Sequence, residues 1–139
     1  MSNPGQEFIQ YRLDRAREAL DDAAFLLNAG RLNVAANRIY YAMFYAASAL
    51  LATRNLNSAR HSGVIALFND NFVKPGLFPR ELGRHLGRAF DLRLETDYRE
   101  LATPDADELG EQMEHARVFV KKCEALVKAV EPAEPASGQ

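Results

Sequence analysis

Two long segments of the chain space their apolar residues alternately four and three positions apart. In the first, these residues are Ile9, Leu13, Ala16, Leu20, Ala23 and Leu27. In the second, they are Leu109, Met113, Ala116, Val120, Cys123, Val127 and Val130. This spacing places each set on one stripe of an α-helix, and no segment shows a convincing strand pattern. The sequence therefore predicts an all-α protein, an antiparallel up-and-down bundle of about five helices.

Turn and cap residues set the expected helix bounds. The first helix should run over about 7–29 and stop at Gly30, and the second from a cap at Asn33 to about residue 53. A short third helix is expected over about 60–69, capped by Ser58, with its apolar side chains at 64, 65 and 68 facing inward. We expect one domain over 7–130, with flexible ends at 1–6 and 131–139.

The last two helices follow a turn signal at Lys74-Pro75-Gly76. The fourth should run from about 79 to 100. The fifth should begin with Thr103 as its cap and Pro104 in its first helical position, because proline lacks the N–H that a first helical residue leaves unpaired.

Composition excludes several classes of protein. The net charge is −2, and the most apolar stretch, 39–52, is too short to span a bilayer. The chain has one cysteine and opens without an apolar run, which favours a cytoplasmic protein with no membrane partner. Its histidines, His61, His85 and His115, fall on different predicted elements. We therefore expect no metal site and no cofactor.

The predicted second helix, NRIYYAMFYAASALLA, is apolar nearly all round, so later helices or a second subunit must cover it. Within it, Arg38 and the hydroxyls of Tyr40, Tyr41 and Tyr45 need polar partners. They form either a buried network that sets helix register or a site at a subunit seam. If the network is buried, loss of Arg38 would cost on the order of 3 kcal/mol of stability.

Three segments together, NRIYYAMFYAASALL, RHSGVIALFNDNFV and LRLETDYRE, resemble the HEPN family, named for higher eukaryotic and prokaryotic nucleotide-binding proteins. The resemblance is to its small stand-alone prokaryotic members and covers roughly 7–130. It implies a helical bundle that pairs as a homodimer, with a minimal nucleotidyltransferase as partner, often in a toxin–antitoxin pair. Many members are metal-independent endoribonucleases.

Those ribonucleases share an Arg-x(4–6)-His motif on the helix that corresponds to the fourth one here, just before a tyrosine. This sequence keeps Arg93 and Tyr98 but has no histidine at that spacing after the arginine. Arg93, Asp97 and Tyr98 therefore look like binding or structural residues, and Arg93 can pair with Asp97 along one helix face.

Other basic residues offer alternatives. Arg54 and His61 have six residues between them, and such a pair could steady phosphate charge and move a proton. Arg80 and His85 have four between them. The i, i+4, i+8 ladder of Arg80, Arg84 and Arg88 is either a solvated face or a row of phosphate contacts.

Three hypotheses remain open. The first is a nucleotide- or RNA-binding protein whose phosphate contacts include Arg38, Tyr41, His61, Arg93 and the arginine ladder. The second is a metal-independent endoribonuclease with Arg54 and His61 as catalytic residues. The third is a structural scaffold. The missing histidine after Arg93 favours the first.

Overall fold

The computed structural model of the protein describes residues 4–98 and 104–130. They form five α-helices and one π-helical turn, with no strand in these ranges. The helices are α1 (Pro4–Asn28), α2 (Leu32–Ala52), α3 (His61–Phe68), α4 (Arg80–Tyr98) and α5 (Ala106–Val130). The π-helical turn, Asn69–Val73, continues α3. The predicted fold class, an all-α bundle of about five helices, is confirmed.

A tight hairpin joins α1 to α2. Gly30 takes a φ of +75°, and its amide donates to the Leu27 carbonyl at 3.1 Å, while the Arg31 amide donates to the Leu26 carbonyl at 2.9 Å. These bonds satisfy carbonyls that the end of α1 leaves free, and glycine tolerates the positive φ. The expected stop at Gly30 is therefore present, and α2 runs back along α1.

Helix α2 lies at the centre of the bundle, in contact with α1, α3, α4 and α5. Its large side chains Ile39, Tyr40, Met43, Leu50 and Leu51 are completely or almost completely buried. The sequence left two ways to cover this apolar helix, later helices or a second subunit. In the structure, α3, α4 and α5 of the same chain pack against it. A half-buried stripe nevertheless remains along one side of α2, at 37, 38, 41, 44, 45 and 48.

Aromatic rings fill the space between α3, the π-helical turn and α5. Phe68 packs on Phe72, Phe78 and Phe119 with centroid separations of 5.7, 4.8 and 5.5 Å. Val64 and Phe68 are buried as predicted, and the third inward position, Ile65, is half-buried. These contacts hold α3 against the bundle, which is what places its first residue, His61, beside α2.

Two of the predicted helix caps are wrong. Helix α2 begins one residue before Asn33, after Arg31, so Asn33 lies in its first turn. The Ser58 hydroxyl accepts a hydrogen bond from the Arg60 amide at 3.2 Å, ahead of α3, whose capping residue is Arg60. In neither place does the side chain of the capping residue make a cap hydrogen bond.

The start of α5 also differs from the prediction. Pro104 lies before the helix, and the Asp105 carboxylate accepts the Asp107 amide at 3.1 Å, so Asp105 serves as the cap. A capping aspartate satisfies an unpaired amide and suits the positive end of the helix dipole. The expected cap at Thr103 and the expected end of α4 near Glu100 fall outside the described residues.

The predicted flexible ends, 1–6 and 131–139, lie largely outside the described residues, but Pro4, Gly5 and Gln6 belong to α1. The first helix thus starts three residues earlier than its apolar stripe suggested. Within the described ranges, no helix has the length and apolarity needed to cross a membrane.

Candidate functional site

Tyr40, Tyr41 and Phe44 carry the rings around which the candidate site is built. Tyr40 and Tyr41 are neighbours in α2 with ring centroids 5.2 Å apart, and Phe44 lies one turn further on, 5.7 Å from Tyr40 and 5.9 Å from Tyr41. Tyr40 points fully into the core, whereas Tyr41 and Phe44 are half-buried. The three rings therefore form a platform that runs from the core to the surface.

His61, the first residue of α3, lies on this platform. Its ring stacks on Phe44 with centroids 4.4 Å apart and planes 11° from parallel, and its Nδ1 lies 2.8 Å from the Tyr40 hydroxyl oxygen. Partial burial lowers the pKa of His61, and the nearby positive charge of Arg93 lowers it further. His61 is thus a neutral, oriented imidazole near pH 7.

Arg93 reaches the same rings from α4. Its guanidinium carbon is 5.6 Å from the centre of the Tyr40 ring and 5.5 Å from that of Tyr41, within the range of a cation–π interaction. Its Nε donates to Asp97 at 2.9 Å, which confirms the pairing expected for residues four apart on one helix. Tyr40, Tyr41, His61 and Arg93 together are called the His61–Arg93 cluster below.

Arg38 extends this cluster through its contact with the Tyr41 ring. Its guanidinium carbon is 5.0 Å from the Tyr41 ring centre, and its Nε donates to the Asn37 side chain at 3.1 Å. None of the ion pairs formed among residues 4–98 and 104–130 involves Arg38. The Arg38 side chain is half-buried and packs on the Tyr41 ring. Its remaining N–H groups can bind an anion.

The hydrogen bond to Tyr40 decides what His61 can do. Burial raises the pKa of the Tyr40 hydroxyl, so this group keeps its proton, although the Arg93 charge opposes the shift. When Tyr40 donates to Nδ1, His61 presents an Nε2–H donor suited to a phosphate oxygen. When Tyr40 accepts from Nδ1, Nε2 offers a lone pair suited to a general base. The same geometry therefore supports either anion binding or proton transfer.

The structure gives Arg54 different neighbours from those of His61. Arg54 donates to the Asn71 carbonyl at 3.2 Å and lies over the Phe72 ring, with 4.4 Å between the guanidinium carbon and the ring centre. The arginine that acts electrostatically on His61 is Arg93. The catalytic pairing of Arg54 with His61 stays a prediction. The arginine and histidine that the structure brings to the same tyrosine, Tyr40, are Arg93 and His61.

The arginine ladder lies on another side of α4. Nine residues at about 100° each separate Arg84 from Arg93, which places them on opposite sides of the helix. Arg80 and Arg84 are exposed, whereas Arg88 donates to Glu108 of α5 at 2.7 Å and lies 3.8 Å from Glu95. The ladder and the His61–Arg93 cluster are therefore separate surfaces, and Arg88 already has acidic partners.

Two further residues lie at the end of α4. Thr96 is buried, and its hydroxyl donates to the Arg93 carbonyl at 3.0 Å, so this side chain bonds to the helix backbone. The structure includes Tyr98 as the last residue of α4 but does not describe its side chain.

Sequence reasoning missed the part played by Tyr40 and Phe44 in orienting His61. A signal was available in the string itself, because Tyr40 and Phe44 are four apart and share a helix face. Nothing in the sequence, however, tied that face to residue 61, which comes from another helix. The contact depends on how α3 packs, and packing is not readable from local spacing.

Comparison with known proteins agrees with this picture. The family model described as the HEPN domain matches residues 9–130. A "UPF0332 protein" from Thermotoga maritima is 43% identical over 126 residues, which cover 91% of this chain and 96% of the relative. A "Putative toxin" from Methanocaldococcus jannaschii is 34% identical over 125 residues, covering 90% of this chain and 92% of the relative. A match of this extent places the protein in the HEPN domain family.

Proposed function

We propose that this protein binds RNA or nucleotide phosphates and is the toxin-side component of a toxin–antitoxin-like module, with a minimal nucleotidyltransferase as its partner. The observation that carries the proposal is the convergence of Arg93 and His61 on the rings of Tyr40 and Tyr41. A guanidinium and an imidazole N–H can bind phosphate oxygens, and the half-buried Tyr41 ring offers a face on which a base can stack.

Two findings support the module. Two relatives from Methanocaldococcus jannaschii carry the name "Putative toxin", at 34% and 30% identity. The family resemblance adds the nucleotidyltransferase partner. The partner would be recognised first in the neighbouring reading frame and then by co-purification with this chain.

Binding is tested with a fluorescently labelled single-stranded RNA 12-mer, with unlabelled ATP as competitor. Replacing Arg93 by Gln should weaken binding about tenfold or more, because a hydrogen bond to a charged group contributes roughly 1.5–3 kcal/mol. Replacing His61 by Ala should weaken it less, and added salt should weaken wild-type binding steadily. Fluorescence anisotropy measures all three.

Arg117→Gln is the matched control, because Arg117 is exposed on α5 and pairs only along its own helix, with Glu114 at 3.5 Å. Melting curves of the variants establish that each remains folded. RNA binding that Arg93→Gln and Arg117→Gln weaken equally would show that general charge, and not the cluster, holds the ligand.

A second candidate function is metal-independent RNA cleavage, and the electrostatic coupling of His61 to Arg93 favours it specifically. In that reaction His61 would transfer a proton and Arg93 would stabilise phosphate charge, so losing either should cost roughly 100-fold in rate. Incubating RNA with the protein and a chelator tests it, with Arg54→Gln included to test the other predicted pair. We expect binding without cleavage, because no histidine follows Arg93 at the spacing that the family resemblance implies.

A further inference from the structure

A cleft of about 370 Å³ opens at the other end of the half-buried stripe of α2. It lies between the start of α1, the last two turns of α2 and the loop before α3. Its floor is apolar, and its rim is polar; the floor includes Phe44, Leu51, Leu56 and Val64. A volume of this size accommodates a small organic molecule.

Arg12 is the one charged side chain among the described residues that line this cleft. Its guanidinium lies between two rings, with its central carbon 5.0 Å from the centre of Phe8 and 5.5 Å from that of Tyr45. Its Nε is buried and has no hydrogen-bond partner among the described residues. The rings therefore orient a guanidinium whose Nε has no acceptor among the residues that the structure describes.

Arg15, close to one turn further along α1, differs from Arg12 because its guanidinium has hydrogen-bond partners. Arg15 pairs with Glu18 at 3.0 Å and donates to the Tyr45 hydroxyl at 3.4 Å. A ligand carboxylate in the cleft would supply an acceptor that Arg12 lacks among the described residues.

The rim adds neutral polar groups. Ser48 projects from α2, and Asn55 and Asn57 from the loop; Asn55 has a φ of +59°, a conformation uncommon for residues other than glycine. These side chains can donate to or accept from a ligand but contribute no charge. One positive charge above an apolar floor matches a ligand with one negative charge and an apolar body.

We propose that this cleft binds a small organic carboxylate with a planar apolar body, the carboxylate accepting from Arg12 and the body lying on Phe44. A carboxylate fits better than a phosphate monoester, because the planar fork of one guanidinium pairs with both carboxylate oxygens, whereas a doubly charged phosphate would be only half neutralised. The site is distinct from the His61–Arg93 cluster, since none of the residues of that cluster lines the cleft.

The test uses 2-naphthoate as the probe and isothermal titration calorimetry as the measurement. Wild-type protein should bind it saturably, with one site per chain. Arg12→Gln should weaken binding about tenfold or more, since a charge-assisted hydrogen bond is lost. Ser48→Phe, which fills the cleft and leaves the guanidinium in place, should weaken it as well, so the test does not depend on one variant.

The controls separate charge from apolar burial. Neutral 2-naphthalenemethanol should bind wild type and Arg12→Gln equally, and Arg17→Gln, on the same helix but paired with Glu124, should bind 2-naphthoate as wild type does. Two results would overturn the proposal: no saturable binding of 2-naphthoate by wild type, or equal affinity in Arg12→Gln. Much tighter binding of 2-naphthyl phosphate would overturn the assignment to a carboxylate.

Discussion

Two guanidinium groups lie near the Tyr41 ring, with the central carbon of Arg38 5.0 Å and that of Arg93 5.5 Å from the ring centre. The two arginines differ in what else they contact: Arg93 pairs with Asp97, whereas among the described residues Arg38 donates to the neighbouring Asn37 side chain. A buried network built around Arg38, one of the two interpretations of the sequence, would require a partner for its charge. Among the described residues the Arg38 side chain contacts the neutral Asn37 side chain and the Tyr41 ring, so the other interpretation, a site at a subunit seam, stays a prediction.

The structure therefore changes what we expect of Arg38→Ala. Because no buried charge is left without its partner, the free energy of unfolding should fall by about 1 kcal/mol or less, the usual size of an exposed cation–π contact, instead of about 3 kcal/mol. Urea denaturation measures it, with Arg31→Ala as an exposed reference. A loss near the larger figure would mean that Arg38 has a buried partner in solution.

At this scale, the sequence identified His61, Arg93 and Tyr41 one at a time but not as neighbours. The pairing of Arg93 with Asp97 was predictable because it depends only on helical spacing. The bond from Tyr40 to His61 was not, because its two residues are twenty-one apart and meet only after α3 has packed. The candidate site was thus foreseen as a set of residues and not as a geometry.

Among the elements, α1 and α5 were predictable from apolar residues spaced alternately four and three apart, α2 from a nearly continuous apolar run, and α4 from the turn signal that precedes it. The π-helical turn at Asn69–Val73 was not, since it depends on packing against α4. An added Cβ at Gly83 of α4 would lie 2.9 Å from a methyl carbon of Val73, so a glycine is what allows the two segments to approach. Helix caps were the least predictable feature, because two of the expected caps, Asn33 and Ser58, are not the capping residues of their helices.

Helices α4 and α5 meet at two histidines. The rings of His85 and His115 stack with centroids 3.6 Å apart and planes 4° from parallel, and both Nδ1 atoms are buried without a hydrogen-bond partner among the described residues. Burial lowers the pKa of His85; positive charge on His115 and on Arg84 lowers it further, and Glu81 acts in the opposite direction. Protonating this pair would place two like charges face to face.

The stack predicts that the protein loses stability in mild acid. Because the folded-state pKa of His85 is below its usual value, the unfolded chain binds more protons than the folded one once the pH falls below about 6.5. The free energy of unfolding therefore decreases as the pH decreases. His61, whose pKa is also lowered, acts in the same direction. Urea midpoints between pH 7.5 and pH 5 should therefore decrease, and less steeply in His85→Gln.

His61→Gln separates the two histidines, since it leaves the stacked pair intact. Measurements stop at pH 5 because carboxylates begin to titrate below it. A midpoint that rises toward pH 5, or the same slope in wild type and in both variants, would contradict the prediction.

For the whole molecule, we expect a homodimer. The apolarity of α2 does not require a second subunit, because α1, α4 and α5 cover most of that helix within one chain. The family resemblance and the half-buried stripe of α2 now support the prediction. Light scattering at tens of micromolar should give twice the 15.5 kDa mass of one chain, and a single-chain mass across that range would contradict it.

The position of α5 in the bundle has a consequence for the order in which the protein can be assembled during its synthesis. Every residue of the His61–Arg93 cluster is translated by position 93, yet α2, which carries two of them, is covered on one side by α5, which is translated after all of them. Phe119 of α5 also completes the ring packing that holds α3. A growing chain that ends before α5 therefore contains all the chemistry of the site without the support that positions it, and the two come together only after α5 has been made.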